Sequence, residues 1–292
     1  MNKLSTTQRV QILHLLCEGN SLRSTSRITG CSINTVTKLL VDAGTACQQY
    51  QDKHLRNLSC KRVQLDEIWS FVHSKQRNVP EEKRGQVGYG DVYTWTALCA
   101  DSKLMISWLC GARDAGYAMA FVDDLAPRLK NRVQLTSDGF KSYLYAVDAA
   151  FGGNVDYSML VKLYGPAPEG PRRYSPPQCL GAEKRPVIGK PDPKHISTSY
   201  VERSNLTIRM MNRRFTRLTN AFSKKLENHV HAFSMFAMHY NFCRIHKSLG
   251  VTPAMEAGVS GHVWTLENVV EMMDESMPKP GKRGPYKKAN SN

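Results

Sequence analysis

Two adjacent acids interrupt a stretch that otherwise has the composition of a buried strand. The segment VQLDEIWSFV, residues 63–72, places Asp66 and Glu67 among apolar side chains, and strand alternation points the two acids to opposite faces. A buried carboxylate is costly unless it is paired, hydrogen-bonded or bound to a cation. The pair is therefore a candidate for chemistry, and an edge strand with one wet face is the alternative.

Two further acids stand where a ligand-binding group is plausible. Asp138 follows the strand-like run RVQLTS, and ligands often bind at the carboxyl ends of strands in open α/β sheets. An ordinary Asp-Gly turn is the alternative. Glu202 is the one acid between Ser199 and Leu226, among seven basic residues. It could ligate a metal ion beside phosphate-binding cations, or it could stabilise a helix by lying at the positive end of the helix dipole.

The segments around these acids resemble a known family. LDEIWSFV, TSDGFKSY and YVERSNLTIRMMNRRFTRLTNAFSKK are similar to the catalytic blocks of DDE insertion-sequence transposases, most closely the insertion sequence 1 family, over residues 60–255. HYNFCRIHKSLGVTPAMEAG resembles a segment that follows the catalytic Glu in related transposases, with Ile245 where Pro is common. The family often has a Cys-rich zinc element near its N-terminus, which this sequence lacks.

The resemblance implies a ribonuclease-H-like α/β fold in which Asp66, Asp138 and Glu202 are the catalytic residues and the metal ligands. Asp66 would lie on a central strand, Asp138 at a neighbouring strand end and Glu202 on a later helix, with Glu67 in a supporting role. The implied cofactor is a pair of Mg²⁺ ions, with Mn²⁺ as a substitute. Such hard cations prefer carboxylate oxygens, and two of them suit phosphodiester chemistry because one activates the nucleophile while the other stabilises the leaving oxygen.

The charge balance favours a nucleic-acid partner. There are 40 Lys and Arg against 25 Asp and Glu, a formal net charge of +15. A membrane surface is the weaker alternative, since no apolar run is long enough to span a bilayer and the N-terminus lacks a signal-peptide pattern. We expect a cytoplasmic, nucleoid-associated prokaryotic protein. The eight cysteines form no C-x-x-C pair, which argues against zinc.

The N-terminal region has the spacing of a helix-turn-helix domain, predicted over 1–47 and followed by a linker over 48–60. Three short helices, each ending at a glycine, are predicted at 7–18, 22–29 and 33–43. The alternative is a small protein-binding module, but residues 1–62 carry nine basic residues against three acids. In the DNA-binding motif the third helix enters the major groove. The predicted contacts are Ser32, Asn34, Thr35, Thr37 and Lys38.

The remainder is predicted to form the catalytic domain and two smaller segments. The catalytic domain covers 61–245 and contains a Pro-rich loop or flexible insertion at 165–194, where eight of the 14 prolines lie. A helical segment at 246–277 and a basic disordered tail at 278–292 follow.

DNA-backbone contacts are predicted outside the N-terminal region as well. On the helix that carries Glu202 they are Arg203, Asn205, Arg209 and Arg213. Arg283 belongs to a Lys-Arg-Gly-Pro segment of the tail that resembles arms entering the minor groove, although a solvated tail fits equally.

These features together predict a transposase that binds the terminal inverted repeats of its element, cuts phosphodiester bonds there and joins the 3′-hydroxyl ends to target DNA. Its partner is double-stranded DNA, on which it is expected to act as a homo-oligomer. A DNA-binding regulator derived from a transposase is one alternative, but a pure binder has no use for acids facing a polyanion. A metal-dependent nuclease without strand transfer would use the same residues.

Overall fold

The computed structural model describes residues 4–166, 177–217 and 219–277. The N-terminal helices are α1 Thr6–Cys17, α2 Leu22–Thr29 and α3 Ile33–His54. The central part contains β1 Arg62–Val72, β2 Gly90–Cys99, β3 Met105–Gly111, α4 Ala115–Leu125, β4 Gln134–Ser137, α5 Ser142–Phe151, β5 Asp156–Tyr164 and β6 Cys179–Ile188. The last elements are α6 Ser199–Met211, α7 Leu226–Met238, a π-helical turn His239–Cys243, α8 Pro253–Glu256 and α9 Leu266–Ser276. The predicted α/β class is confirmed.

One mixed sheet of six strands runs through the molecule in the order β3-β2-β1-β4-β5-β6. The three middle strands β1, β4 and β5 are parallel, while β2, β3 and β6 each pair antiparallel to a neighbour. A tight turn that includes Asp101 connects β2 to β3, so these two strands form a hairpin. Because β1 and β4 are neighbours and parallel, residues that follow the same point on both strands lie side by side.

Helices cover both faces of the sheet. On one face, Leu65 of β1 shares a buried cluster with Phe121 of α4 and Tyr143 of α5. On the other, Ile68 of β1 packs with residues of α6 and α7, among them Val201. Strand alternation sends Leu65 and Ile68 to opposite faces, and both are buried, which explains the nearly continuous apolar sequence around the two acids of β1.

Local signals explain where the N-terminal helices begin and end. Ser5 and Gln8 form a capping box at the start of α1, and Gly30 ends α2 with a left-handed φ of 69°. The predicted end of α3 at Gly44 is not observed, because the helix continues to His54. Gly44 is instead the point where α3 approaches α7: a Cβ atom there would lie 2.6 Å from the Cβ atom of His231.

The N-terminal helices share a core with the rest of the molecule. The Gln51 amide donates to the carbonyl of Ser234 at 3.2 Å, and the Ser234 hydroxyl donates to the carbonyl of Gly44 at 2.8 Å. Arg9 of α1 pairs with Asp274 of α9 at 2.7 Å. The first part of the predicted linker over 48–60 is therefore helix packed on α7.

The Pro-rich segment also differs from expectation. A loop or flexible insertion is predicted for 165–194, yet residues 179–188 form β6, which pairs with β5 as the exposed edge of the sheet. Pro186 lies within this edge strand, where its missing N–H is tolerated. In the part of the chain that the structure describes, no helix is long and apolar enough to cross a bilayer.

Substitution of Gly44 tests the packing of α3 on α7. Helix propensity alone would make Gly44→Ala stabilising by about 1 kcal/mol. We expect Gly44→Ala to destabilise by roughly 1–3 kcal/mol instead, because the new methyl group would meet the backbone of His231. Gly116→Ala in α4 is the matched control, since its Cβ would meet only the Asp114 carboxylate at 3.4 Å. Urea denaturation measures both; equal stability changes would contradict the close approach.

Candidate active site

Two parallel strands bring Asp66 and Asp138 together. β1 pairs with β4 as far as Gln64 opposite Thr136. Asp66 and Asp138 each follow that pair by two residues, so they emerge side by side where β4 ends. This is the placement that the family resemblance implies.

Asp66 is held by groups on its own strand and on α6. Its Oδ2 atom accepts a hydrogen bond from the side-chain amide of Asn205 at 2.8 Å, and its Oδ1 atom accepts from the backbone N–H of Glu67 at 2.9 Å. Asn205 is one of the residues predicted to contact DNA. The structure gives it a contact with the Asp66 carboxylate, which fixes the direction of that side chain.

A buried glutamine joins α6 to the strand that carries Asp66. The side-chain carbonyl of Gln64 accepts hydrogen bonds from the backbone N–H groups of Tyr200 and Val201, at 2.9 and 3.0 Å. These N–H groups belong to the first turn of the helix and have no partner within it. Gln64 therefore caps α6 from β1 and sets the position of Glu202 relative to Asp66.

Glu67 points to the opposite face, as strand alternation predicts. Its side chain is 2% exposed and pairs with the guanidinium of Arg113 at 3.0 Å. It also accepts a hydrogen bond from the hydroxyl of Tyr143. Arg113 reaches Asp138 as well, at 3.5 Å, and lies over the ring of Phe140. Arg113 thus bridges two carboxylates.

Three carboxylates form a cluster that could hold a metal ion. Asp66, Glu67 and Asp138 each offer one oxygen, and these oxygens lie within 4.8 Å of one another. Burial, with the charges of Glu67 and Asp138 next, raises the pKa of Asp66 to about 7. Burial and Asp138 also raise the pKa of Glu67, against the hydrogen bond from Tyr143. Carboxylates that repel one another in this way form a set of oxygen donors that suits Mg²⁺ or Mn²⁺.

Glu202 lies near this cluster but has other partners. It occupies the first turn of α6, where the helix-dipole interpretation also places it. Its carboxylate pairs with the ammonium of Lys162 on β5 at 2.6 Å and accepts a hydrogen bond from the Thr198 hydroxyl. Its charge contributes to the raised pKa of Asp66. The structure therefore brings Asp66 and Asp138 together and places Glu202 at the side of the cluster, neutralised by Lys162.

The three arginines predicted to contact DNA on or just after α6 lie in different environments. Arg209 is half-buried, and burial, then the charge of Arg217, lowers its pKa while Asp66 opposes this. Its Nη1 atom is buried and has no hydrogen-bond partner among the described residues. Arg203 is exposed on another side of the helix. Arg213 follows α6 and lines a cavity of about 610 Å³ together with Arg23 and other residues.

Most of the N-terminal candidates already have intramolecular partners. Ser32 caps α3 by accepting from the backbone N–H of Thr35 at 3.2 Å, and the Thr37 hydroxyl donates to the carbonyl of Ile33 at 2.8 Å. Lys38 is exposed and pairs with Asp42 at 2.6 Å. Asn34 is exposed. Arg283 and the rest of the tail at 278–292 lie outside the described residues.

Sequence reasoning missed four residues that organise the site: Gln64, Arg113, Tyr143 and Lys162. Arg113 and Tyr143 are separated from Glu67 by 46 and 76 positions, so no local pattern connects them. Lys162 gave one usable signal, a lone cation in the apolar strand sequence YSMLVKLY.

The raised pKa of Asp66 predicts a pH-dependent stability. The pKa of Asp66 is about 7 in the folded state and about 3.9 in an unfolded chain, so the folded state binds the proton more tightly. The stability that proton binding contributes is therefore complete below pH 4 and is lost as the pH rises through 7. Asp66→Asn should therefore stabilise the metal-free protein at pH 8, by up to about 4 kcal/mol, and change it little at pH 4.

Asp156→Asn supplies a control of opposite sign. Its carboxylate pairs with Arg132 at 2.8 Å, and this partner lowers the pKa of Asp156. The Asp156 contribution is present above the unfolded pKa and lost in acid, so the variant should be less stable than wild type at pH 8. Thermal denaturation at both pH values measures the changes. The same stability change at pH 4 and pH 8 for Asp66→Asn would contradict the assignment.

Comparisons with known proteins gave weak structural similarity. No family model matches the chain, and no curated protein matches it. Three solved structures of Mos1 transposase are similar. The paired-end complex with left transposon end has 11% sequence identity and a TM-score of 0.24, and the match covers 54% of this chain and 60% of that chain. The pre-cleavage transpososome has 12% identity and a TM-score of 0.23, with 54% of this chain and 60% of that chain covered, and the strand transfer complex has 12% identity and a TM-score of 0.24, with 80% and 78% covered. The chain thus spans about 60% of the first two. Similarity at this level does not assign it to a family.

Proposed function

We propose that this protein is a DDE transposase that binds the ends of an insertion sequence, cleaves phosphodiester bonds and joins the 3′-hydroxyl ends to target DNA. The observation that supports this most directly is the position of Asp66 on β1 beside Asp138, which directly follows the neighbouring parallel strand β4, with Glu202 on the adjacent basic helix. This arrangement agrees with the ribonuclease-H-like core that the sequence resemblance implies. Acids gathered beside cations suit chemistry on a polyanion better than simple binding to it.

The carboxylates are proposed to hold the metal ions. Asp66 and Asp138 would be ligands, with Glu202 as the third, while Arg113 and Lys162 balance part of the acidic charge when no metal is bound. Two bound Mg²⁺ or Mn²⁺ ions would supply activation of water or a 3′-hydroxyl and stabilisation of the leaving oxygen. The protein supplies no covalent nucleophile in this scheme.

Side chains of α6 are proposed to position the substrate. The Asn205 amide holds the Asp66 carboxylate in one direction, which preorganises a ligand before metal binds. Arg209, a half-buried cation whose charge interacts with that of Asp66, would contact a phosphate oxygen next to the reacting bond through the part of its side chain that solvent reaches. Arg203 and Arg213 would contact the DNA backbone further away.

The N-terminal helices are proposed to recognise the element ends through the start of α3. Because α3 packs directly on α7, the start of α3 and the carboxylates are carried by elements that share one hydrophobic core. A homo-oligomer on DNA would then be needed to hold two ends at once. The tail with Arg283 remains a proposed DNA contact.

Two other functions would share part of this site. A transposase-derived regulator would bind DNA and leave it intact, and a nuclease would hydrolyse it without joining. Sequencing the junctions formed with Mg²⁺, element-end DNA and a target plasmid separates all three. Hydrolysed ends without joints would identify the nuclease, and intact DNA would identify the regulator.

Conservative replacement of the proposed ligands tests the catalytic assignment. Asp66→Asn, Asp138→Asn and Glu202→Gln should each reduce cleavage by at least about 100-fold while DNA affinity stays near wild type, because each loses a ligand charge with little change in volume. Glu81→Gln, an exposed acid in a short helical turn, is the charge-matched control and should retain full cleavage. Cleavage assays beside gel shifts give both quantities. Substantial cleavage by one of the three would remove that residue from the site.

Substitutions on α3 test end recognition in the full-length protein. If the exposed Asn34 reads a base, Asn34→Ala should reduce the preference for element ends over random DNA by roughly 1–3 kcal/mol. Lys38→Gln should instead weaken all sequences alike, since a phosphate contact carries no sequence information. Competition gel shifts with both kinds of DNA distinguish the two. An unchanged preference after Asn34→Ala would contradict its role in base recognition.

A further inference from the structure

A basic site lies on the opposite side of α6 from the carboxylates. We name it the α6 cleft: a cavity of about 650 Å³ between α6, the β2–β3 turn and residues 244–248. The residues of α6 that line it include Tyr200, Arg203 and Thr207, which recur at helical spacing. Glu202 and Asn205 recur at the same spacing on the opposite face, so the helix separates the two sites.

The lining of the α6 cleft carries four cations, and Asp101 in the β2–β3 turn, outside the lining, is an acid whose charge acts on one of them, Lys103. Lys103, Arg203, Arg244 and Lys247 line it, and no Asp or Glu is among its lining residues in the described structure. Arg203, Arg244 and Lys247 are exposed. Burial, with the charges of Lys103 and Arg244 next, lowers the pKa of His246, so both cations lie close enough to His246 for their charges to act on it. Such crowding costs free energy unless an anion binds, because like charges repel.

The chemistry of the lining fits a nucleic-acid backbone. Lys103 lies over the ring of Tyr200 at 3.5 Å, and Tyr200 is 41% exposed, so an aromatic face is held beside a cation. Thr207 and Ser248 add hydroxyl groups at the walls, which hydrogen-bond the carbonyl of Arg203 and the ring of His246 and would exchange these partners to contact a phosphate. Cations, hydroxyl groups and an aromatic ring are the groups through which proteins contact phosphates and sugars.

The distance between the two sites sets which part of the DNA would reach the cleft. An α-helix with its side chains is about 10 Å across, which corresponds to about three base pairs along a DNA duplex. Only the outer ridge of α6 separates the sites, and its residues Leu206 and Met210 are 44% and 69% exposed. A strand that crosses this ridge from the carboxylates therefore arrives at the cleft within a few nucleotides.

We propose that the α6 cleft binds the phosphate backbone of the DNA that flanks the reacting phosphodiester bond, with Lys103, Arg244 and Lys247 as contacts that add to Arg203. This inference rests on the proposed function, because it uses the carboxylate site to position the DNA. It names a surface of the catalytic unit, separate from α3, as part of the DNA interface.

A salt titration of full-length protein tests the cleft. The double variant Arg244→Gln, Lys247→Gln is compared with wild type on a duplex carrying the element end, without divalent metal, by fluorescence anisotropy. The logarithm of the affinity should fall less steeply with the logarithm of salt concentration in the variant, by about 0.9 for each phosphate that the variant no longer neutralises. The variant with Lys75→Gln and Arg77→Gln is the matched control, since it removes the same charges from exposed residues past the far end of β1.

The outcomes separate the cleft from the function on which it rests. A slope in the cleft variant equal to that in the control variant overturns the proposal, even when wild type binds and cleaves DNA. Wild-type protein that binds the duplex but neither cleaves nor joins it would contradict the proposed function while leaving the cleft measurement intact. Should the double variant unfold, Lys247→Gln alone, at an exposed loop position, should still lower the slope by about 0.9, and an unchanged slope would overturn the proposal.

Discussion

Electrostatic repulsion among the carboxylates at the end of β4 is the constraint around which the rest of the site is built. Asp66 and Asp138 lie side by side because β1 and β4 are parallel neighbours, and an oxygen of Glu67 lies within 4.8 Å of an oxygen of each. The protein offsets the repulsion with Arg113 between two of them and with hydrogen bonds from Tyr143 and Asn205. The repulsion that these groups leave uncompensated contributes to the raised pKa of Asp66, and a divalent cation would compensate it.

The helix α6 converts this strand arrangement into two distinct surfaces. Gln64 caps its first turn from β1, and the contact of Val201 with Ile68 buries one side of it. With that side fixed, the 3.6-residue period leaves one flank for Glu202 and the other for the α6 cleft. A single helix thus supplies both the third acid and the basic surface next to it. In the proposed transposase, Arg203 and Arg209 of this helix would contact the same polyanion on either side of one ridge.

The N-terminal helices are tied to the sheet domain by packing that leaves little freedom between them. Gly44 permits α3 to approach α7 so closely that a methyl group would meet the backbone of His231. Gln51, about two turns later, hydrogen-bonds the same helix. The direction of α3 relative to the carboxylates therefore depends on this packing against α7. In the proposed transposase, the spacing between the bound end and the cleaved bond would follow from this geometry rather than from a flexible linker.

Local patterns in the sequence determined the opposite directions of Asp66 and Glu67 and the position of Glu202 in the first turn of a helix, because strand alternation and helix periodicity are local properties. The α/β class followed from the family resemblance of the catalytic segments. Only the tertiary structure decided which groups meet. Arg113, Tyr143 and Lys162 come from distant parts of the chain, and even the lone cation of an apolar strand, Lys162, does not reveal from its sequence neighbours that Glu202 is its partner. Tertiary packing also overrode local signals, since a glycine predicted to end a helix became a contact point and a Pro-rich segment supplied an edge strand. Such outcomes depend on the surface that faces a residue, which its sequence neighbours do not specify.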